Sequence, residues 1–180
     1  MKIKEEVISL LYNVLALKEQ SPPSGTNETE ILGFAIQNNL DVPPDLKAWL
    51  CICNGSYIGG GLFGVHTLER WLDVDSFYEL YPSWKKQGWI PIAGDGCGNY
   101  YVLGKHSCKV SGHPVFFIDT HEDADCLAYV VASGLWQFLR FVLRQEIGED
   151  YWPFNKQKVL EQDPMIEKCQ EALLPWEYSS

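Results

Sequence analysis

Apolar positions recur along this chain with two different periods, and the period changes near residue 89. Before that point the spacing is helical. Ile3, Val7, Leu10, Val14 and Leu17 follow one stripe, with Leu11 and Leu15 beside them, which predicts an amphipathic helix. "SPPSGTN" ends it, because Pro and Gly interrupt regular structure. Asn27 is placed to cap a second helix, with Glu30 three residues on as in a capping box. Ile31, Leu32, Ala35 and Ile36 are expected on its apolar side, and it should end near Asn39. "DVPPDLKAWLCICNGS" predicts a third helix. Pro44 suits its first turn, Leu46, Trp49, Leu50 and Cys53 form one face, and Asn54-Gly55 stops it. "YIGGGLFGV" is glycine-broken and suits a strand with a bulge. "TLERWLDVDSFYELYPSWKKQG" then reads as one helix or two, through Leu68, Trp71 and Leu72 and then Phe77, Leu80, Tyr81 and Trp84.

From Trp89 the pattern is that of strands. "WIPIA", "NYYVLG", "PVFFID" and "CLAYVVA" are short β-branched or aromatic runs bounded by Gly, Asp, Asn and Pro. The gaps between them are too short for parallel crossovers, so the sheet should be antiparallel. "SGLWQFLRFVLRQEIG" returns to helical spacing through Leu135, Phe138, Leu139 and Val142. The tail from Glu149 is polar with scattered aromatics, and a helix is expected near Pro164 to Leu174. Trp49, Trp71, Trp84, Trp89 and Trp136 are all expected in or beside the core. Tyr100 and Tyr101 are strand neighbours and must point to opposite faces, one toward the core and the other free for a partner.

"IPIAGDGCGNYYVL" concentrates glycine between two of the strands. A phosphate-binding glycine loop leads into a helix, whose N-terminus then faces the phosphate. Here a strand follows, so the stretch is read as a turn: Gly94, Gly96, Gly98 and Asn99 tolerate positive φ, and Asp95 bonds the local backbone.

Composition narrows the function. The 180 residues, 46% apolar, fit one globular domain. Fourteen basic against 24 acidic residues give a formal charge of −10. That argues against nucleic acid and against an anionic membrane surface as ligands. It fits a basic protein partner, or simply solubility. The six cysteines form no Cys-x-x-Cys pair and are expected as buried thiols in a reducing compartment. The start, "MKIKEEVISLLYNVLALKEQ", lacks the features of a secretion signal, and no stretch approaches the ~20 apolar residues of a membrane span. A cytoplasmic location is expected.

Catalytic and metal chemistry finds little support. "DTHEDAD" groups Asp119, Glu122, Asp123 and Asp125 around His121, but a calcium loop would need Gly at its sixth position and Glu at its twelfth. His66, His106, His113 and His121 show no zinc-ligand spacing. A Cys/His pair could assemble in space from Cys97 or Cys126, and no Gly-x-Ser-x-Gly elbow is present. No catalytic residue, metal or cofactor is expected.

The order of these motifs resembles the SUKH superfamily. "VPPDLKAWLCICNGS" is similar to its Pro-led helix closing on Asn-Gly, "WIPIAGDGCGNYYVL" to its central strand-turn-strand signature, "PVFFIDTHED" to its next strand and acidic loop, and "GLWQFLRFVL" to its closing helix. The likeness spans roughly residues 28 to 147; the Gly59–Gly61 run and the tail depart from it. It implies an α+β fold, mainly an antiparallel sheet flanked by N-terminal and C-terminal helices. One such domain is expected over residues 1–148, with 149–180, outside the resemblance, as a helical extension packed on it. It implies a non-enzymatic binding module without a cofactor. Many bacterial members are immunity proteins that neutralise a cognate toxin, often a nuclease or deaminase, and fungal relatives are regulatory modules in cell-wall synthesis. The expected partner is a basic toxin protein. Its expected contacts are Tyr57, Glu69, Asp73, Asp95, Asn99, Tyr101, Asp119, Glu122 and Asp123. Two alternatives stand beside this: a small enzyme or metal protein built on Asp95, Asp119, Asp123 and His121, and a regulatory scaffold with several partners.

Overall fold

The structure, a computed structural model, describes residues 2–110 and 112–178. Four strands, β1 (Ile90–Gly94), β2 (Tyr100–Leu103), β3 (Val115–Ile118) and β4 (Tyr129–Ala132), form an antiparallel sheet in the order β1-β2-β3-β4. Helices α1 (Ile3–Leu17), α2 (Glu28–Asn38), α3 (Pro44–Leu50), α4 (Val74–Leu80) and α5 (Pro82–Gln87) precede it, and α6 (Leu135–Glu146) and α7 (Lys156–Gln162) follow. The fold class is α+β, as the change of period predicts.

Alternation along β2 decides how the layers stack. Tyr101, in register with Phe117 of β3, meets Phe138 of α6 and Trp152 at ring-centroid distances of 5.0 and 5.6 Å. Tyr100 points the other way and meets Phe77 of α4 at 5.2 Å and Trp84 of α5 at 5.4 Å. Helices therefore cover both faces of the sheet. Both tyrosines are half-buried, so the expectation that one ring stands on an open surface is corrected, although Tyr101 still lines a cavity. α6 is the hub on its side: α1 lies along it, and Trp49 of α3 packs edge-on against Trp136 at 6.2 Å.

Both edges of the sheet are protected, which removes a template for aggregation. Along β1, Phe63 N–H donates to Ile92 O at 2.8 Å and Gly94 N–H to Gly61 O at 2.9 Å. Along β4, Val130 N–H donates to Leu173 O at 2.9 Å. The glycine run 59–61 follows from that first edge. A Cβ on Gly60 would stand 2.1 Å from Gly96 N, so only glycine lets the two backbones approach this closely.

Four expectations are corrected. α2 is capped by Asn27, whose side chain accepts Glu30 N–H at 3.0 Å, but it buries Ile31, Phe34 and Asn38. The Asn38 amide donates to Phe34 O and to Asp75 Oδ1, which holds that face inward, and Leu32 and Ile36 are exposed. The helix expected from residue 67 starts only at Val74, because Asp73 caps it by accepting Asp75 N–H at 2.9 Å. Leu68 and Trp71 therefore lie outside it, and Trp71 is 72% exposed instead of in the core. In the tail the helix is α7, capped by Asn155, and the segment from Pro164 is a short 3-10 turn. The tail contributes Trp152, Val159, Ile166 and Cys169 to the common core. Of the cysteines, only Cys53 and Cys169 are buried, which pushes each thiol up to about 12; Cys51, Cys97, Cys108 and Cys126 are exposed.

Candidate partner-binding surface

The β1–β2 turn is built around one carboxylate. Asp95 Oδ1 accepts the N–H groups of Cys97 at 2.7 Å and Asn99 at 3.0 Å, and Oδ2 accepts the Asn99 side-chain amide at 2.9 Å. These bonds allow a five-residue connection with Gly96 and Gly98 at positive φ. Asn99 then reaches across to the loop between β3 and β4. Its Oδ1 accepts Thr120 N–H at 3.1 Å, and the Thr120 hydroxyl donates to Gly98 O at 2.8 Å. The two acidic connections are thereby fixed to each other at one end of the sheet.

The β3–β4 loop is a chain of tight turns capped by its own carboxylates. Asp119 accepts His121 N–H at 3.0 Å and Asp123 accepts Asp125 N–H at 2.9 Å. The Asp125 N–H, helped by the Cys126 thiol, holds the Asp123 carboxyl below its ordinary range. From outside, the Ser83 hydroxyl donates to Asp125 at 2.5 Å and the Trp84 indole to Ala124 O at 2.7 Å. From the tail, the Tyr178 hydroxyl donates to Glu122 at 2.6 Å; that bond first, and burial second, push Tyr178 up to about 12. Glu122, Asp123 and Asp125 nevertheless remain exposed.

Among the described residues, Asp95, Asp119, Glu122, Asp123 and Asp125 take part in no ion pair. The carboxylates near α6 differ: Glu6 pairs with Arg144 at 2.7 Å and Arg140 at 3.6 Å, Glu149 with Arg144 at 3.3 Å, and Glu146 with Lys18.

The other expected contacts divide. Tyr57 is exposed, and its hydroxyl donates to Glu69 at 3.2 Å, so these two form a local pair. The backbone joins that segment to the acidic turn, since Gly60 bridges Asp95. Asp73 drops out. It is 8% exposed, and its oxygens accept Thr67 N–H at 2.5 Å and Asp75 N–H at 2.9 Å. Tyr101 lies among aromatic rings, and burial raises its hydroxyl above the ordinary range. Pattern reading missed Trp71 and Thr120. Recognising "DVDS" as a cap at Asp73 would have placed Trp71 outside the helix; nothing in the sequence marks Thr120.

Among the described residues, no three His, Cys, Asp or Glu side chains converge to hold a metal ion. The Cys126 thiol is raised by its bond to Asp123, which opposes formation of a nucleophilic thiolate. Among the described residues, no helix is long and apolar enough to cross a membrane.

The model of the SMI1 / KNR4 family (SUKH-1) matches residues 25–140. The chain belongs to this family. The SUKH-1 match contains all four strands and both acidic connections, and leaves α1 and the tail outside it. No curated protein and no solved structure matches the chain.

Proposed function

We propose that this SUKH-1 protein is a non-enzymatic binding module that occludes a basic protein partner, as an immunity protein occludes a cognate toxin of nuclease or deaminase type. The observation that carries this reading is the group of unpaired carboxylates held at one end of the sheet. Exposed carboxylates without cationic neighbours project a field that accelerates encounter with a positive surface. The same field repels nucleic acid, so blocking the protein that acts on nucleic acid suits it better than binding the nucleic acid itself. Tyr57 and Trp71 are exposed aromatics of the kind that supply anchor energy at interfaces.

The test is binding to the product of the neighbouring gene. Co-purification of the two, with loss of the partner's activity at equimolar ratio, is the expected result. A basic neighbour that neither binds nor is inhibited sinks the proposal. The scaffold reading draws on a different feature, an apolar groove of about 530 Å³ between α2 and α3 that Leu32, Ala35 and Ala48 help to line and no acidic-loop residue touches.

A further inference from the structure

A second cavity, of about 400 Å³, opens between the Gly59–Gly61 turn, the end of β1 and α6. Its walls include two carboxylates, Asp95 and Glu146, and no lysine, arginine or histidine. Asp95 already accepts three hydrogen bonds, but a carboxylate has about four acceptor sites, so one is left for a ligand. Two aromatics complete the lining. The Tyr101 hydroxyl has no hydrogen-bond partner among the described residues. The Trp152 indole N–H is taken by Val131 O at 2.9 Å, so this side chain offers the cavity only its ring. Gln145 also lines the cavity, and its amide, like the Tyr101 hydroxyl, can accept as well as donate; with two carboxylates, two aromatic rings and no cation of its own, the lining is a host for a positive charge. The molecule already contains one such contact, since the Lys18 ammonium pairs with Glu146.

We propose that this cavity receives a cationic side chain of the protein partner, arginine by preference. A guanidinium brings five N–H donors and a flat face that stacks on aromatic rings, which matches two carboxylates, a free hydroxyl and an indole better than the point charge of an ammonium does. The proposal deepens the reading of the protein as a binder of basic partners and rests on it. It places the specific contact beside the acidic turn, where the Asp119–Asp125 field would deliver the partner. Lys18 competes for Glu146 and is displaced or shared when the partner's side chain enters.

The test uses a small probe, so that its outcome does not depend on any particular partner. Amide and indole NMR spectra of the full chain are followed during titration with N-acetyl-arginine methylamide and, separately, with the uncharged citrulline analogue. The expected result is saturable movement of the Gly59, Gly60 and Gly61 amides and the Trp152 indole, with a dissociation constant on the order of millimolar for the arginine probe and about tenfold weaker binding of citrulline. Val142→Phe, which fills the cavity, should abolish the effect. Should that variant fail to fold, Glu146→Gln at the half-exposed rim should weaken binding several-fold. Lys18→Met should strengthen it by freeing Glu146, a gain that a merely structural role for Lys18 would not produce. Equal binding of the two probes, or no saturable shift up to about 50 mM, overturns the proposal. That result leaves the toxin-binding reading standing, because the neighbouring protein could still bind elsewhere. Failure of that complex with a positive probe titration separates the two in the opposite sense.

Discussion

Carboxylates near α6 and carboxylates at the loop end of the sheet carry the same formal charge, yet the fold treats them oppositely. Beside α6, Glu6, Glu146 and Glu149 meet Arg140, Arg144 and Lys18, and Asp163 is fully buried against Ser133. At the loop end, Asp95, Asp119, Glu122, Asp123 and Asp125 have backbone, hydroxyl and amide donors but, among the described residues, no ion pair. Around α6 the carboxylates meet cations, whereas the five gathered at the turns of the strands meet none among the described residues. That difference separates acidic residues that hold the fold from acidic residues available to a partner, and substitution should expose it as a graded series in stability.

The largest loss is expected at Asp163. Its carboxylate accepts Ser133 N–H at 2.7 Å and the Ser133 hydroxyl at 2.5 Å, which ties the tail to the start of α6. Asp163→Ala leaves both donors without a partner in a closed site and should cost about 3 kcal/mol in urea unfolding. Burial, outweighing the Ser133 bonds, raises this carboxyl above its ordinary 3.8. The folded state thus holds the proton more tightly than the unfolded chain. The contribution is fully present below the ordinary value and is lost as pH rises through the raised one. The stability of the native protein relative to Asp163→Asn should therefore shrink as pH is increased from about 3.8, read from urea midpoints across the acid range. A difference that grows instead would mean that the Ser133 and Arg140 interactions dominate.

Next comes Asp73, the capping carboxylate that was expected on the surface. Asp73→Ala should cost about 2 kcal/mol, because the Thr67 and Asp75 amides lose their acceptor and the start of α4 frays. Calorimetry on this variant tests its removal from the binding surface: a neutral effect would return it there. Glu6→Ala should cost less, about 1 kcal/mol, since its side chain is 20% exposed and water takes over part of its role with Arg140 and Arg144.

How much of this was legible beforehand follows the range of the interactions. The strands, the Asn27 cap, the α3 face and the Asp95 turn rest on contacts a few residues apart, and pattern and turn chemistry carry them. The burial of Phe34 and Asn38 in place of Leu32 and Ile36 depends on Asp75, 37 residues beyond Asn38. The union of the two acidic connections depends on Asn99 and Thr120, 21 residues apart. Asp163 reaches Ser133 across 30 residues. No local period encodes such pairs. Charge counting failed for a related reason: whether a carboxylate is free depends on which cations the fold brings to it.

The smallest stability effect should come from the exposed loop. Glu122→Gln, Asp123→Asn and Asp125→Asn together remove three charges while leaving each side chain one acceptor oxygen, and the bonds they make lie at the exposed surface. The combined change should stay within about 0.5 kcal/mol. Asp95 is left intact, because its bonds build the turn and altering it would confuse folding with binding. Against a basic partner the same triple variant should associate about tenfold more slowly at low salt, and the gap should narrow as ionic strength rises and the Debye length falls. Dissociation should change little, because steering charges act on encounter while packed anchors such as Trp71 govern release. Stopped-flow association at two salt concentrations separates the cases. A stable triple variant whose association rate equals that of the native protein would leave these carboxylates with the role of solubility alone. A slower rate at unchanged stability would assign the uncancelled charge of the sheet's loop end to recognition.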